Sequence, residues 1–367
     1  MHILGIETSC DETGVAVVDL SERGLLVLED VVSSQIALHE PYGGVVPEIA
    51  VREHLRNLPR LVPKVLEQAR IGASDLDVIA VTEGPGLASS LLVGNAYARA
   101  LAVASDVPAY GINHLEGHLF SPFLADGTEL HFPFVGLIVS GGHTLLVQAL
   151  EFDRYIRLGA TIDDAAGEAF DKVARLFGLP YPGGPALERL AESGNPEAYD
   201  FPRSLPGKDD LNFSFSGLKT AVRYFYEKHP HSHGDEQWLA DLCASFQQAV
   251  IDVLVRKSLA AVERTRGQSL VAAGGVVCNR ALRLALQRAC REKGVRLLVA
   301  TPGVCTDNAA MIAATAAFKI HYGCEPEIGG DINPTLSLFS PEPEGDFNKG
   351  LLLAKKLRGR EPGQLAQ

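Results

Sequence analysis

The sequence predicts an α/β protein built as two similar halves. Three observations predict it. An apolar strand, a polar turn rich in glycine or small residues, and a return strand occur twice, once at the N-terminus and once near the middle. Each hairpin is followed by helical periodicity alternating with short apolar strands. At 367 residues the chain is too long for one average core and fits two domains.

In the first half, residues 3–7 form an apolar strand, 8–14 a polar turn and 15–20 the return strand, with another strand near 25–32. Pro47, suited to a first helical turn, opens a helix over 47–69. The run Val78-Ile79-Ala80-Val81-Thr82 is a buried strand, Gly84-Pro85-Gly86 a turn, and 87–105 a helix. That helix is apolar or small nearly all round, so it is either buried on all sides or half-covered by another chain. The second half repeats the plan: a strand over 134–140, a tight turn Gly141-Gly142-His143-Thr144, and a return strand over 145–150. Helices are expected over 167–177, 185–192, 236–265, 279–292 and 307–320, and a buried strand over 269–273 ends in Gly274-Gly275. Residues 181–233 break the repeat and read as an insertion closing over a cleft.

This layout resembles the duplicated ribonuclease-H-like fold of the actin, sugar-kinase and heat-shock ATPase superfamily. The resemblance implies two lobes around a nucleotide cleft, with hairpin backbone N–H groups on phosphates. The expected division is a first lobe over 1–113, completed by about 322–340; a second lobe over 114–321 that carries the metal and nucleotide site; and a tail over 341–367 of open role.

Composition excludes several classes. No apolar run reaches the roughly 18 residues of a membrane span. The N-terminus has no charged region or cleavage site of a signal peptide, so a cytoplasmic location is expected. The six cysteines include no C-x-x-C pair, in keeping with reduced thiols. A net charge of −12 argues against a free-standing nucleic-acid binder. A partner or a local basic patch would have to attract a polyanion.

The most informative stretch is His114-Leu-Glu-Gly-His118. Two imidazoles four residues apart share one helix face and can reach one divalent metal. Metalloprotease helices place a glutamate directly after the first histidine as general base. Here Glu116 comes second and faces away from a metal held by both rings. Thr306 or Asp307 reads by default as an N-cap, but the Asp307 carboxylate across the cleft would complete a two-His-one-carboxylate set. Ser140 and Glu7 stand where kinases of the superfamily carry aspartates, which weakens the case for phosphoryl transfer but not for nucleotide binding. Ser140 also suits a turn hydroxyl. Asp171 could accept ligand hydroxyls, or engage Lys172 or a backbone amide. Gly183-Gly184 permits close backbone approach. Asn279 could cap a helix, hold a ribose or base, or do both.

In these motifs the sequence is similar to the TsaD/Gcp family, tRNA threonylcarbamoyltransferases once called O-sialoglycoprotein endopeptidases. The resemblance runs from Ile3 to about Pro334. It rests on Gly5-Ile-Glu-Thr-Ser-Cys-Asp-Glu-Thr13, Gly43-Gly-Val-Val-Pro-Glu48, Asn113-His-Leu-Glu-Gly-His118, Val139-Ser-Gly-Gly-His-Thr144, Gly167-Glu-Ala-Phe-Asp-Lys172, Phe213-Ser-Phe-Ser-Gly-Leu-Lys219, Gly274-Gly-Val276 with Asn279, and Cys305-Thr-Asp-Asn308. Val51 and the tail from about Glu342 depart from it. It implies metal ligands at His114, His118 and Asp307, and adenylate-binding residues at Leu137, Ile138, Val139, Ser140, Gly141, Asp171, Gly184 and Asn279. It implies one Fe2+ or Zn2+ per chain and threonylcarbamoyl-AMP as donor. The implied acceptor is N6 of adenosine 37 in tRNAs reading ANN codons, and the implied partners are a TsaB-like paralogue and a TsaE-like ATPase. Competing readings are a metallopeptidase, an ATP-dependent small-molecule kinase on the same fold, and a non-enzymatic scaffold.

Overall fold

Nearly every side chain of β1 (His2–Glu7) is buried, and that burial makes β1 the centre of a sheet. In the computed structural model the described residues are 1–22, 24–125, 128–207, 209–232, 234–324 and 331–339; the tail 341–367 lies outside them. A four-residue turn returns β1 into β2 (Glu12–Ser21), so the two pair antiparallel, with Ile3 opposite Val18 and Ile6 opposite Val15. β3 (Gly24–Ser34) continues the antiparallel meander. After α1 (Ile36–His39) and α2 (Pro47–Ala69) the chain crosses over, and β4 (Val78–Gly84) lies parallel to β1. A second crossover through α3 (Ala88–Ser105) sets β5 (Ala109–Asn113) parallel to β4. The sheet order is β3-β2-β1-β4-β5.

The second half repeats this order and polarity. After α4 (His114–Phe120) come β6 (Phe134–Val139), β7 (Thr144–Glu151) and β8 (Arg154–Ala160), an antiparallel meander. The crossover to β9 (Ser269–Ala273) contains α5 (Ala166–Leu176), α6 (Gly183–Ala191), α7 (Ser216–Lys228) and α8 (Glu236–Thr265); α9 (Arg280–Lys293) then leads to β10 (Arg296–Val299). β9 pairs parallel with β6, and β10 parallel with β9. The order β10-β9-β6-β7-β8 is that of the first sheet, so the duplication expected from the two hairpins is present strand for strand.

α8 is 30 residues long and apolar enough on average to meet a membrane-span criterion, but two thirds of its most apolar stretch is buried inside the protein. Its Leu242 and Phe246 pack into the second core with Phe170, Phe213 and Phe215. Residues 181–233, the expected insertion, are anchored in that core by Phe201, Leu211, Phe213 and Phe215. After α10 (Pro302–Cys305), α11 (Ala309–His321) packs on the first sheet rather than the second. Its Met311, Ile312, Ala313 and Ala316 meet Ile3, Val18, Val78 and Ile112. The return to the first lobe, placed by sequence at 322–340, therefore begins one helix earlier. Gly5 makes this approach possible: a Cβ there would lie 2.3 Å from the Ala309 carbonyl oxygen. Residues 331–339 follow, with the Asn333 N–H donating to the Glu83 carbonyl.

Candidate active site

α4 starts where β5 ends. Asn113 caps it, its Oδ1 accepting from the N–H groups of Leu115 (2.9 Å) and Glu116 (3.4 Å). The helix therefore begins on His114, and His118 follows one turn later; the two rings lie edge to face with centroids 4.7 Å apart. The third group comes from the start of α11. The expected helix over 307–320 begins two residues later than predicted, and Asn308 is its cap, accepting from the Met311 N–H at 2.9 Å. Asp307 is thus released from capping. Its Oδ1 lies 3.0 Å from His118 Nε2 and 3.6 Å from His114 Nε2.

The ligand atoms of His114, His118 and Asp307 all lie within 4.8 Å of one another. Donors about 2.05 Å from a tetrahedral zinc or iron stand roughly 3.3 Å apart, and the two distances to Asp307 bracket that value. Two buried imidazole nitrogens and one carboxylate oxygen of the half-buried Asp307 fit a borderline divalent ion with positions left open.

His114 Nδ1 donates to Glu7 Oε2 at 3.1 Å and lies 3.2 Å from Ser9 Oγ. Glu7 is fully buried and also accepts from the Thr82 hydroxyl and the Ser9 N–H. Burial would raise the Glu7 pKa, but His114 outweighs it and holds the carboxyl below its ordinary value. Burial likewise opposes charge on His114, yet Asp307 and Glu7 carry it up to about 9. Asp307, despite burial, is held well below the usual carboxylate range by His114 and His118. His143, in the second hairpin turn, is pushed down to about 4 by burial and by these two histidines. On the first hairpin, burial and the nearby Asp307 and Asp11 raise Glu12 to about 10. Glu7, Glu12 and His143 are the site-facing groups that sequence reasoning did not assign. The available signal was a carboxylate ending the buried run Ile3-Leu4-Gly5-Ile6-Glu7.

Glu116 faces away from the histidine pair, as the sequence predicts. Its carboxylate accepts from the Tyr155 hydroxyl and, at 3.1 Å, from Lys319 Nζ. A glutamate committed to that ion pair is not placed to activate water beside the histidines, which removes the ground for a peptidase.

The residues implied for adenylate binding gather around the second hairpin turn, next to His143. Leu137, Ile138 and Val139 have fully buried side chains, and their strand pairs with β7 on one side and with β9 on the other, so they support the turn rather than offer free groups to a ligand. Ser140 and Gly141 form the turn that follows, and the Ser140 hydroxyl accepts from the His143 N–H at 3.1 Å. Gly167 opens α5 directly under this turn, where a Cβ would lie 2.6 Å from the Ser140 carbonyl oxygen. Asp171 takes the backbone-amide alternative: Oδ1 accepts from Gly183 N (2.9 Å) and Gly184 N (3.3 Å), tying α5 to the start of α6. Burial raises its pKa despite those bonds. Lys172 instead pairs with Asp164 and Glu168. Asn279 caps α9 by accepting from the Leu282 N–H at 2.9 Å, and its Nδ2 donates to Gln247 Oε1 at 2.7 Å.

Comparison with known proteins agrees with this geometry. Residues 26–314 match the family described as TsaD, tRNA N6-adenosine threonylcarbamoyltransferase. The chain is 56% identical over 325 residues to the tRNA N6-adenosine threonylcarbamoyltransferase of Methylibium petroleiphilum, covering 88% of this chain and 92% of that one. It is 52% identical over 320 residues to the protein of the same description in Geotalea uraniireducens, covering 87% and 92%. Among solved structures, full-length HypF in its phosphate- and nucleotide-bound form superposes with a TM-score of 0.59 at 15% identity, over 88% of this chain and 47% of HypF. This chain spans about half the length of HypF, and that likeness shows the shared duplicated ribonuclease-H-like fold alone. With more than half of the residues identical to a curated relative along most of its length, the chain is a transferase that belongs to the TsaD family of tRNA N6-adenosine threonylcarbamoyltransferases.

Proposed function

We propose that this chain transfers the threonylcarbamoyl group of threonylcarbamoyl-AMP to N6 of adenosine 37 in tRNAs that read ANN codons, forming threonylcarbamoyladenosine. The observation that carries this reading is the cluster of His114, His118 and Asp307 at the junction of the two lobes, with the second hairpin turn beside it. The donor is a mixed carbamoyl–phosphate anhydride, already activated. The adenine N6 attacks the carbamoyl carbon, the bond from that carbon to the phosphate oxygen breaks, AMP leaves, and N6 loses a proton. No serine or cysteine nucleophile is needed. The chain's task is to hold the two reactants in line.

The turn that follows the strand 137–139, from Gly141 onward, is suited to the phosphate of the donor, with Ser140, Asp171, Gly184 and Asn279 around it. His114, His118 and Asp307 would hold one Fe2+ or Zn2+, which when bound supplies Lewis acidity and a template for the threonylcarbamoyl portion. Glu7 keeps the His114 ring in one tautomer.

The outward face of α3 supports docking of a TsaB-like paralogue. Leu92 and Val103 are 58% and 84% exposed, with Ala96 and Ala100 exposed between them and no charge on that stripe. Leu55 on the adjoining α2 is exposed as well. A TsaE-like ATPase and a cytoplasmic setting complete the proposal. Transfer from purified threonylcarbamoyl-AMP to tRNA, followed by nucleoside mass spectrometry, tests it. Threonylcarbamoyladenosine is expected, with many turnovers only when the paralogue is present. No modified nucleoside under any of these conditions would refute the assignment.

A further inference from the structure

The charge of this chain is unevenly spread. From Arg280 to Arg296 the sequence holds six cations and one carboxylate, a local +5 in a chain of −12. Arg283 is turned inward, with Nη2 2.6 Å from the Ala300 carbonyl and 3.0 Å from Cys305 Sγ. Arg280, Arg288, Arg291 and Lys293 on α9, and Arg296 at the start of β10, are exposed. Many surface cations elsewhere are paired, as Arg56 is with Glu53, Arg154 with Glu151 and Arg203 with Asp252. Among the described residues, Arg288, Arg291, Lys293 and Arg296 have no carboxylate partner.

Cations near a helix C-terminus balance its dipole, which accounts for Arg291 and Lys293. It does not account for Arg296, beyond the helix, nor for Arg288, which stands three residues from Arg291 and repels it. The other basic stripe, Arg52, Arg56, Arg60 and Lys64 on α2, shares its helix with Glu48, Glu53 and Glu67 and nets only +1. α9 nets +4 and begins at Asn279. Its 14 residues extend about 21 Å, so Arg288 to Lys293 lie roughly 14–21 Å along the axis from that cap.

We propose that the outer face of α9, with Arg280, Arg288 and Arg291, is a rail for the sugar-phosphate backbone of tRNA, running outward from the donor-binding end of the cleft. The proposal deepens the transferase reading and rests on it for the identity of the polyanion. Unpaired arginines on an acidic chain supply the local attraction that the total charge withholds. They also fix register without reading sequence, as suits an enzyme acting on several tRNAs.

The test is binding of an ANN-reading tRNA to the full-length chain with its paralogue, measured by anisotropy over a range of salt. R288E/R291E is expected to weaken binding at least tenfold and to flatten the log–log salt slope by about 1.4–1.8, that is about 0.7–0.9 for each lost phosphate contact. R288K/R291K should keep most of the affinity, and the KM for threonylcarbamoyl-AMP should not move. Unchanged tRNA affinity and slope in a folded R288E/R291E protein would overturn the rail. Loss of tRNA binding in that variant, with no transfer by the wild type, would sustain the rail and defeat the transferase reading instead.

Discussion

Glu7 and His114 lie 107 residues apart in sequence, yet Oε2 of one accepts from Nδ1 of the other at 3.1 Å. This pairing puts the ring proton on Nδ1 and leaves Nε2 facing Asp307. Glu7 holds the place where kinases of the fold carry an aspartate. Here the carboxylate is used to orient a histidine. Glu7→Gln keeps the shape but loses the charge, and metal affinity should fall roughly 10–100-fold with the fold intact. Competition against a chromophoric chelator measures this; unaltered affinity would remove Glu7 from the site.

Lys319 on α11 and Glu116 on α4 form a buried ion pair, Nζ to Oε2 at 3.1 Å, which Tyr155 and Asp153 complete. It joins the helix bearing both histidines to the helix that follows Asp307. Breaking it from one side strands a buried charge, so Lys319→Met should cost about 3–5 kcal/mol. The double variant Glu116→Gln/Lys319→Met should recover part of that in a denaturant double-mutant cycle. Strict additivity would show that the pair is not coupled.

Asn308 caps α11 and donates from Nδ2 to the carbonyls of Val304 (3.2 Å) and Thr306 (2.7 Å). Asn308→Ala should lower stability by about 1–3 kcal/mol. It should also weaken metal binding, because Asp307 is the preceding residue. A stable variant with full affinity would mean that the cap does not position the carboxylate.

His54 is fully buried, with Nε2 3.0 Å from the Cys10 carbonyl and Nδ1 2.8 Å from the Thr13 hydroxyl. Burial holds its pKa below 6.5. Below that pH the unfolded chain binds a proton that the folded chain resists. The stability contribution is therefore full above 6.5 and is lost as pH falls toward the folded-state value. The unfolding midpoint should decline as pH falls below about 6.5, and less steeply in His54→Gln. Equal slopes for both proteins would assign the acid sensitivity elsewhere.

Both hairpins and the helices Pro47–Ala69 and Glu236–Thr265 were legible in the sequence, since apolar period, a proline at a first turn and an acidic cap mark them directly. β5, β8, β10 and α7 were not. The strands are short and only partly buried, and α7 follows a phenylalanine-rich irregular stretch. His114 and His118 were legible because the helix that joins them is local. The Glu7 partnership was not, because it depends on a sheet closing over a hundred residues. Asp307 and Asn308 can both cap a helix, and only the folded backbone shows which side chain meets the Met311 N–H.

The central claim is that this chain, through His114, His118 and Asp307, makes threonylcarbamoyladenosine. The most direct measurement is nucleoside mass spectrometry of tRNA from cells depleted of the protein and then complemented. Depletion should remove the modified nucleoside, wild-type protein should restore it, and His118→Ala should not, though it accumulates as folded protein with little bound metal. Undiminished threonylcarbamoyladenosine after depletion, or full restoration by metal-free His118→Ala, would contradict the account.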